Sequence, residues 1–562
     1  MGETKNLIVA IFLSVAVIFT WEIYNAKNAP VKHQEEESNN FEPNQGQEQS
    51  WKRNEKAQPV QPTKSIAKDI TFENDKISGV INLKALRITE LVLKNYDAEK
   101  GSEDKVRFLQ SKDSKTPYFA ESGWQINNID NSGNKAIWEH ISGNKLTSSQ
   151  DLKLRWVANN GSIEIIRTVS LDDNYMFEIN DTVTNHASFD ITLNQYALLN
   201  SSKDTIEKQF YILHEGPFGM FNDTLYEIKY DKLVKTGKVN HASQNGWAGI
   251  SDKYWFTAFI PDTKQNFNYR FTSYNKDDLT KFQTDLQSDD IIIPAGLSYS
   301  SKNLLFAGAK EIKLIDQYEE SHNIHLFDRS IDFGILYFLT KPIYLLLKVF
   351  YTFFNNFGVA IIALTIFIRF LMYPLASKSF REISKIKAIQ PELMKVREVY
   401  GDDKMRIQRE VMSLYKAHKI KPMMGCLPVL VQVFIFFSLY KVLFVTIDMR
   451  HAPFFGWITD LTQPDPTSLI NLFGLLPFDL GIPFGVWPCL LCITMILQQK
   501  LNPAPADPMQ AKMMKFLPYL FVVLFAGFPA GLVIYWTFNN SFSIVQQYLI
   551  MKKTEKAIQK TR

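Results

Sequence analysis

Arg369 is the residue whose type and setting most directly indicate chemistry, because it interrupts the apolar run from Phe357 to Leu375. A charge at the centre of a membrane span costs at least about 2.5–3.5 kcal/mol on insertion scales, so it usually marks a functional site. The simpler interpretation is that Arg369, about 9 Å from the nearer end of the run, extends to that membrane surface. Helical side chains lean toward the N-terminus, here the farther end, which favours the functional interpretation.

Several polar residues in the apolar runs are candidate partners for Arg369. Each alone is more typical of an ordinary hydrogen bond between helices, whereas together they indicate a hydrated cavity inside a helical bundle. These candidates are Thr365, Gln432, Thr537, Asn539 and Asn540.

The other residues that could do chemistry give weaker signals. Cys489 and Cys492 have the spacing of a redox or metal-binding pair, but the apolar sequence around them favours thiols that pack as small hydrophobes. The histidines, including His322 and His325, are scattered, and the sequence contains no Gly-rich phosphate loop and no G-x-S-x-G motif. We therefore predict no metal, no cofactor, no small-molecule substrate and no enzymatic activity.

Six apolar runs predict a multi-span α-helical membrane protein with six spans, five of which form a C-terminal core. Residues 1–24 have a weakly basic start and no small-residue cleavage site, so we interpret them as an uncleaved membrane anchor. The fourth and fifth runs are short for a bilayer and imply local thinning. The runs are Leu7 to Tyr24, Phe357 to Leu375, Cys426 to Val445, Ile482 to Leu497, Met513 to Phe528, and Ala530 to Met551.

The charges of the connecting segments predict the orientation. The segment from Ala376 to Pro422 holds twelve Lys and Arg against six Asp and Glu, whereas 446–481 holds one Arg against four Asp. By the positive-inside rule, both termini, the 376–422 segment and the basic tail 552–562 are cytoplasmic, and residues 25–330 are periplasmic. The largely apolar segment 331–354 contains Lys341, Pro342 and Lys348, and we predict that it is an amphipathic helix at the outer membrane–water interface.

The predicted periplasmic part has two regions. Residues 25–64 are rich in Gln, Glu, Asn, Lys and Pro, which is typical of a disordered tether. Residues 65–325 show alternating strand patterns and closely spaced turn signals, which predict a large all-β sandwich domain. Because it carries no catalytic motif, we favour a binding or scaffolding role for this domain.

The cytoplasmic segment 377–421 has two stretches with helical spacing of apolar residues, separated by Gly401, and predicts an antiparallel hairpin. It is either a solvated basic loop or a docking platform for ribosomal RNA, signal-recognition machinery or a substrate chain. The candidate docking residues are Lys395, Arg397, Asp402, Asp403, Arg406 and Arg409.

The order of these parts resembles the bacterial branch of the YidC/Oxa membrane insertase family, in its Gram-negative form. The resemblance is dense from about Ile331 to Tyr548 and looser through the outer domain. It rests on "FIRFLMYPL" around Arg369, "QPELMKVREVYGDDKMRIQREVMSLYKAHKIKP" in the hairpin, "GCLPVLVQVFIFFSLY", "ADPMQAKMMKFLPYLF" and "FPAGLVIYW".

This resemblance implies that a five-span core, residues 355–551, inserts and folds membrane proteins through a hydrophilic groove, alone or with the Sec translocon. Its other implied partners are nascent membrane proteins, the ribosome, the signal-recognition machinery and the lipid bilayer. Trp536 stands where the family often has a groove-facing Tyr, which leaves a hydroxyl contact in question. The predicted groove residues are Arg369, Thr365, Gln432, Tyr535, Trp536 and Asn539.

Two rival classes remain open at this point. A transporter could use an intramembrane arginine to bind an anionic solute, although the sequence shows no inverted repeat. A cell-envelope enzyme with a carbohydrate-binding outer domain would need paired carboxylates or a nucleophile near the interface, and none is evident.

Overall fold

A computed structural model describes residues 69–561 except 112–113, 127–131, 159–160, 204–212, 277–278, 402, 469–484 and 504–507. The predicted anchor (1–24), the predicted tether (25–64) and Asp402 therefore lie outside the described residues. From Ile70 to Ala309 the described chain is almost entirely β-structure, and from Tyr337 to Thr561 it is helical.

The strands follow from the alternation of apolar and polar residues. In Leu152–Ala158 and Ile163–Leu171, every second side chain is buried, as expected for strands with one face toward a core. The strands are β1 Ile70–Glu73, β2 Ile77–Asn82, β3 Arg87–Asp97, β4 Lys105–Leu109, β5 Tyr118–Ile126, β6 Glu139–Ser142, β7 Leu152–Ala158, β8 Ile163–Leu171, β9 Met176–Asn185, β10 Ile191–Lys203, β11 Gly216–Phe221, β12 Thr224–Glu227, β13 Lys238–Ser243, β14 Trp247–Ser251, β15 Trp255–Ile260, β16 Phe267–Lys276, β17 Leu279–Ser288, β18 Ile291–Ile293 and β19 Ser298–Ala309.

These strands form two antiparallel sheets. Within the described residues, one sheet has the order β1-β2-β3-β5-β10-β17-β16-β13, with β4 beside β3 and β18 beside β10. The other has the order β12-β11-β14-β15-β19-β9-β8-β7-β6. Their facing sides bury large aromatic residues, among them Phe72, Phe177 and Phe256. The predicted all-β sandwich is confirmed.

A buried ionic network joins the two sheets. The guanidinium of Arg167, on β8, donates from Nε and Nη2 to the two carboxylate oxygens of Asp181, on β9, both at 2.6 Å. Its Nη1 donates to the carbonyl oxygen of Ser122, on β5 of the other sheet, at 2.9 Å. Trp124 Nε1 also donates to Asp181, at 2.8 Å. Arg167 and Asp181 are each 1% exposed, so this charge pair is sealed inside the sandwich.

The helices complete the chain. Two belong to the β region, and the others form the C-terminal bundle and the helical hairpin that extends from it. They are α1 Tyr230–Thr236, α2 Ile312–Ser321, α3 Tyr337–Phe354, α4 Phe357–Leu371, α5 Tyr373–Ala388, α6 Gln390–Tyr400, α7 Lys404–Ala417, α8 Pro422–Val445, α9 Val486–Leu501, α10 Pro508–Ala526 and α11 Ala530–Thr561. Short 3-10 turns lie at Gly133–Lys135, Phe327–Ser330 and Ile447–Met449.

The helix that carries Arg369 is shorter than the apolar run from Phe357 to Leu375. It ends at Leu371, and α5 turns away from it by 66°. Pro374 explains the break, because it has no N–H to donate to the carbonyl of Phe370 and its ring would clash with that carbonyl. Arg369 therefore lies in the last turn of α4, beside a bend, rather than inside one straight span.

The described helices differ in whether their length and hydropathy match the predicted spans. Among the described residues, Leu427–Val445 is long and apolar enough to cross a membrane alone, and the bent pair α4 and α5 passes the same test together. Helix α9 is apolar but shorter, with 16 residues. Polar residues lower the hydropathy of α10 and α11, for example Lys512 and Asn539. The count of six spans stays a prediction.

Helix α3 joins the sandwich to the bundle. Its buried face includes Tyr344, whose hydroxyl donates to Asp448 at 2.7 Å, and Lys348 pairs with the same carboxylate at 2.7 Å. Just before α3, Asp332 pairs with Lys441 of α8 at 2.9 Å and accepts from the backbone N–H of His214 at 3.1 Å. These contacts fix this end of the bundle against the sandwich.

Candidate functional site

Arg369 is held by one residue of the last helix. Its Nε donates to the side-chain oxygen of Asn539 at 2.9 Å, and its Nη2 donates to the backbone oxygen of the same residue at 3.2 Å. Asn539 is 4% exposed, and Arg369 is partly buried. Within the described part of the chain, no Asp or Glu side chain lies within ion-pair distance of Arg369. The guanidinium is thus oriented by neutral groups and keeps its full positive charge.

The other candidate partners do not contact Arg369. Thr365 is buried and donates to the carbonyl of Ile361 in its own helix at 2.7 Å. Thr537 likewise donates within α11, to Val533 at 2.8 Å. Of the five partners considered for Arg369, the structure brings only Asn539 to it.

Gln432 and Tyr535 form a second polar contact. The amide of Gln432, on α8, donates to the hydroxyl of Tyr535, which is fully buried on α11. The Tyr535 hydroxyl thus links α11 to α8. Trp536 packs instead among aromatic rings, with its centroid 4.7 Å from Phe436 and 5.3 Å from Phe525.

A polar seam between α9 and α11 is a feature that the sequence reasoning missed. Three pairs are stacked along the two helices, at donor–acceptor distances between 2.8 and 3.4 Å. The spacing of Thr494, Gln498 and Asn502, one helical turn apart, is the signal that could have revealed it. The pairs are Asn540 with Thr494, Gln498 with Ser543, and Gln547 with Asn502.

The basic hairpin is built from α6 and α7. The stretch with helical spacing before Gly401 is not one continuous helix, because the helix ends at Ala388, close to Pro391, and the chain begins again as α6 at Gln390. Ile389, Leu393 and Ile420 form the buried core of the hairpin. Its partly buried apolar neighbours are Ile386, Val411, Leu414 and Tyr415.

The candidate docking residues lie around this core. Asp403 caps α7 by accepting from the backbone N–H of Arg406 at 3.1 Å, and the Arg406 side chain returns to it at 3.2 Å. Lys395, Arg406 and Arg409 are exposed, whereas Arg397 is half-buried. The structure thus displays three of the predicted basic residues to solvent on two packed helices.

Among the residues that the structure describes, the cysteine pair has no partner that suggests chemistry. Cys489 is half-buried and Cys492 is buried on α9, and both are free thiols. Within the described ranges, no group of three or more His, Cys, Asp or Glu side chains is arranged to hold a metal ion.

A charged residue in an apolar helical bundle, joined to a two-sheet β domain, defines a multi-span helical membrane protein with a large all-β domain. The family model described as "60Kd inner membrane protein" matches residues 349–557, and the one described as "YidC periplasmic domain" matches 69–346. The chain therefore belongs to the YidC family of inner-membrane insertases.

Individual relatives agree with this assignment. The chain is 42% identical to the membrane protein insertase YidC of Rickettsia bellii over 560 residues, which is 97% of this chain and 98% of that protein. It is 42% identical to the YidC of Rickettsia akari over 555 residues, covering 97% and 99%. Among solved structures, it is similar to an active YidC insertase at 14% identity and a TM-score of 0.35, covering 85% of this chain and 92% of that one.

Proposed function

We propose that this chain inserts and folds inner-membrane proteins through a polar groove between α4, α8 and α11, with Arg369 as its electrostatic centre. The observation that carries the proposal is the guanidinium held by Asn539 without a carboxylate partner among the described residues. An uncompensated charge in an apolar bundle is costly, which is reasonable where a substrate supplies the missing anion.

The groove would lower the barrier for the polar part of a substrate. A polar segment must cross about 30 Å of hydrocarbon. The short α9 and the bend after Leu371 support a locally thinned path, and Arg369 offsets the desolvation of acidic side chains on the way. The remaining drive would come from the partitioning of the substrate's own apolar helix and from the membrane potential, which acts on its charges.

The outer faces of α8 and α10 support a lipid-facing surface along which that apolar helix leaves the groove. Both helices expose large apolar side chains that no described residue covers, although they flank the buried aromatic cluster around Phe525. Those on α8 include Val429, Leu430 and Phe434, and those on α10 include Phe516, Leu520 and Val523.

We propose the topology on the same footing. Residues 25–330 lie in the periplasm, α3 lies at the outer interface, and the hairpin 377–421 and both termini are cytoplasmic. The exposed apolar face of α3, with Phe338, Val349 and Phe353, supports its contact with lipid. The hairpin would receive ribosome-bound clients, the signal-recognition machinery or the Sec translocon, and the exposed Lys395, Arg406 and Arg409 support such docking.

The test uses purified protein in liposomes and two single-span clients that differ only in the translocated segment, which carries aspartates in one and asparagines in the other. Two unit charges about 6 Å apart, at an effective dielectric near 20, attract by about 3 kcal/mol, or roughly a hundredfold. Arg369→Ala should slow the acidic client by up to this factor, Arg369→Glu should slow it most, and Arg369→Lys should retain much of the activity.

The neutral client is the control, because its apolar helix still partitions into lipid without help from Arg369. Equal slowing of both clients by Arg369→Ala would contradict the electrostatic role and make Arg369 a structural residue of the bundle.

A further inference from the structure

Asn539 holds Arg369 at two points. The side-chain oxygen and the backbone oxygen of Asn539 accept from different nitrogens of the guanidinium, at 2.9 and 3.2 Å. Two acceptors on one residue fix both the position and the plane of the guanidinium. Asn539 is itself buried on α11, so the packing around it restricts the movement of both acceptor oxygens.

The contact with Asn539 does not neutralise the positive charge of Arg369. A guanidinium carries five N–H donors, and the described contacts use one at Nε and one at Nη2. The amide of Asn539 is neutral, so it accepts a hydrogen bond without cancelling the charge. An aspartate has nearly the same shape but would form a charge-assisted pair with the arginine.

The same chain shows that alternative in its β-sandwich. Arg167 donates from Nε and Nη2 to both carboxylate oxygens of Asp181, at 2.6 Å each. At Arg369, the acceptor facing Nε is the amide oxygen of Asn539, and the second acceptor is a backbone carbonyl. The two sites therefore differ in whether the guanidinium already has its counter-ion.

We infer that Asn539 is a positioning residue that presents Arg369 to a carboxylate of the substrate and, being neutral, does not compete with it. The inference rests on the proposed function of Arg369 and extends it, because it names the residue that keeps the site open. It predicts that the substrate's acidic group binds at the N–H donors that Asn539 does not use. It also predicts that a negative charge at position 539 acts as a built-in competitor.

Two substitutions separate this role from a purely structural one. Asn539→Asp preserves shape and both acceptors but supplies a counter-ion. Asn539→Leu removes the side-chain acceptor, adds no charge and leaves the backbone acceptor. If Asn539 merely stabilised the bundle, the near-isosteric Asn539→Asp would be the milder change. If it keeps the charge of Arg369 available, Asn539→Asp is the more damaging change, and only for acidic clients.

The experiment measures insertion by the full chain in liposomes, with single-span clients carrying either two aspartates or two asparagines in the translocated segment. Asn539→Asp should slow the aspartate client by roughly a hundredfold, as Arg369→Ala does, and leave the asparagine client within about twofold. Asn539→Leu should slow the aspartate client by about tenfold, the loss of one charge-assisted hydrogen bond. Asn540→Asp is the matched control, because Asn540 contacts Thr494 on α9 instead of Arg369.

The outcomes distinguish this inference from the proposed function. If Arg369→Ala slows both clients equally, the proposed function fails, and a positioning role for Asn539 fails with it. If Arg369→Ala is selective but Asn539→Asp is not, only the inference about Asn539 is overturned. Should Asn539→Asp not fold, Asn539→Leu decides alone: selective slowing of the aspartate client supports the inference, and equal slowing of both clients overturns it.

Discussion

Arg167 in the sandwich and Arg369 in the helical bundle both place a positive charge in an apolar interior, but the groups that surround the two charges differ. Arg167 is 1% exposed and is neutralised by a two-point pair with Asp181, which Trp124 also contacts. Arg369 is partly buried, and its hydrogen-bond acceptors among the described residues are the two neutral oxygens of Asn539. A buried charge whose partners are complete has nothing left to offer a ligand, whereas one that lacks a counter-ion can bind an anion.

Another buried charge of the sandwich also has internal partners. Lys310 is 1% exposed, and its Nζ donates to Ser251 and to the carbonyl of Asp252 at 2.7 and 2.6 Å. Neutral polar atoms do not distinguish the two regions, because among the described residues both bury some without a hydrogen-bond partner, for example Tyr196 Oη and Tyr269 Oη in the sandwich and Ser438 Oγ and Gln547 Oε1 in the bundle. The contrast therefore concerns the buried charged groups.

The largest expected effect on stability is at the buried pair of Arg167 and Asp181. Arg167→Met leaves the carboxylate of Asp181 buried without its cation, which should lower the free energy of unfolding of the sandwich by about 3–5 kcal/mol. Denaturant unfolding of the full-length protein, followed by tryptophan fluorescence, measures it. The double variant Arg167→Met, Asp181→Leu is the control and should cost less than the single change. A double variant that loses as much as both single changes combined would mean that Arg167 and Asp181 do not interact energetically, which would contradict the prediction.

A pH titration probes another way in which the sandwich buries a basic group. His214 is 5% exposed, and its burial lowers its pKa to about 4, a direction that Lys310 reinforces and Asp332 opposes. Between about pH 4 and 6.5 the unfolded chain therefore binds more protons than the folded one, and stability falls as the pH falls. At pH 5 the loss relative to pH 7 should be about 2 kcal/mol from this residue.

His214→Gln isolates that contribution, because all other titrating groups are common to both proteins. The variant should lose less stability between pH 7 and pH 5 than the parent, as measured by denaturant unfolding at each pH. The same loss in both proteins would show that His214 does not stay neutral in the folded state, which would break the contrast between a closed sandwich and an open groove.

The sequence predicts the elements better than the contacts between them. Alternation in segments such as β7 and β8 reports burial directly, so the sandwich could be predicted, and apolar runs located the helices of the bundle. The bends at Met372 and Ile389 were missed, although Pro374 and Pro391 were visible, because hydropathy averages over a proline.

The site was harder to predict than the fold. Arg369 could be identified from the free-energy cost of a charge in an apolar span. Its partner could not, because the choice between Asn539 and Asn540 depends on which face of α11 meets α4. Moving by one residue turns that face by about 100°. Arg167 was missed although the alternation of β8 gives it the same parity as the buried Ile165 and Val169, so the pattern already placed a charge on the inward face.

A smaller effect on stability should be seen at Arg369. Arg369→Met removes an uncompensated charge worth about 2.5–3.5 kcal/mol of insertion penalty, and also two hydrogen bonds to Asn539 that return roughly 1.5–3 kcal/mol each at most. The two contributions largely offset each other, and their mid-range values leave a loss of about 1.5 kcal/mol in the free energy of unfolding, while insertion of acidic clients falls. Thermal unfolding in detergent measures the first and the liposome assay the second. A stability loss as large as that of Arg167→Met would place both arginines in the same structural class.

The smallest expected effects on stability are in the hairpin. Its basic side chains lie neither in the interior of the sandwich nor in the groove. Reversing the exposed Lys395, Arg406 and Arg409 should leave the unfolding free energy within about 1 kcal/mol, because exposed charges contribute little. It should weaken delivery of ribosome-bound clients, with a dependence on salt set by a screening length of about 8 Å at physiological ionic strength. Post-translational insertion of a short client should suffer less, and Lys553→Glu, at an exposed position of α11, is the control for negative charge added outside the hairpin. Equal impairment of both routes would mean that the hairpin takes part in the membrane step, and the division between a docking surface and a single charged groove would then have to be abandoned.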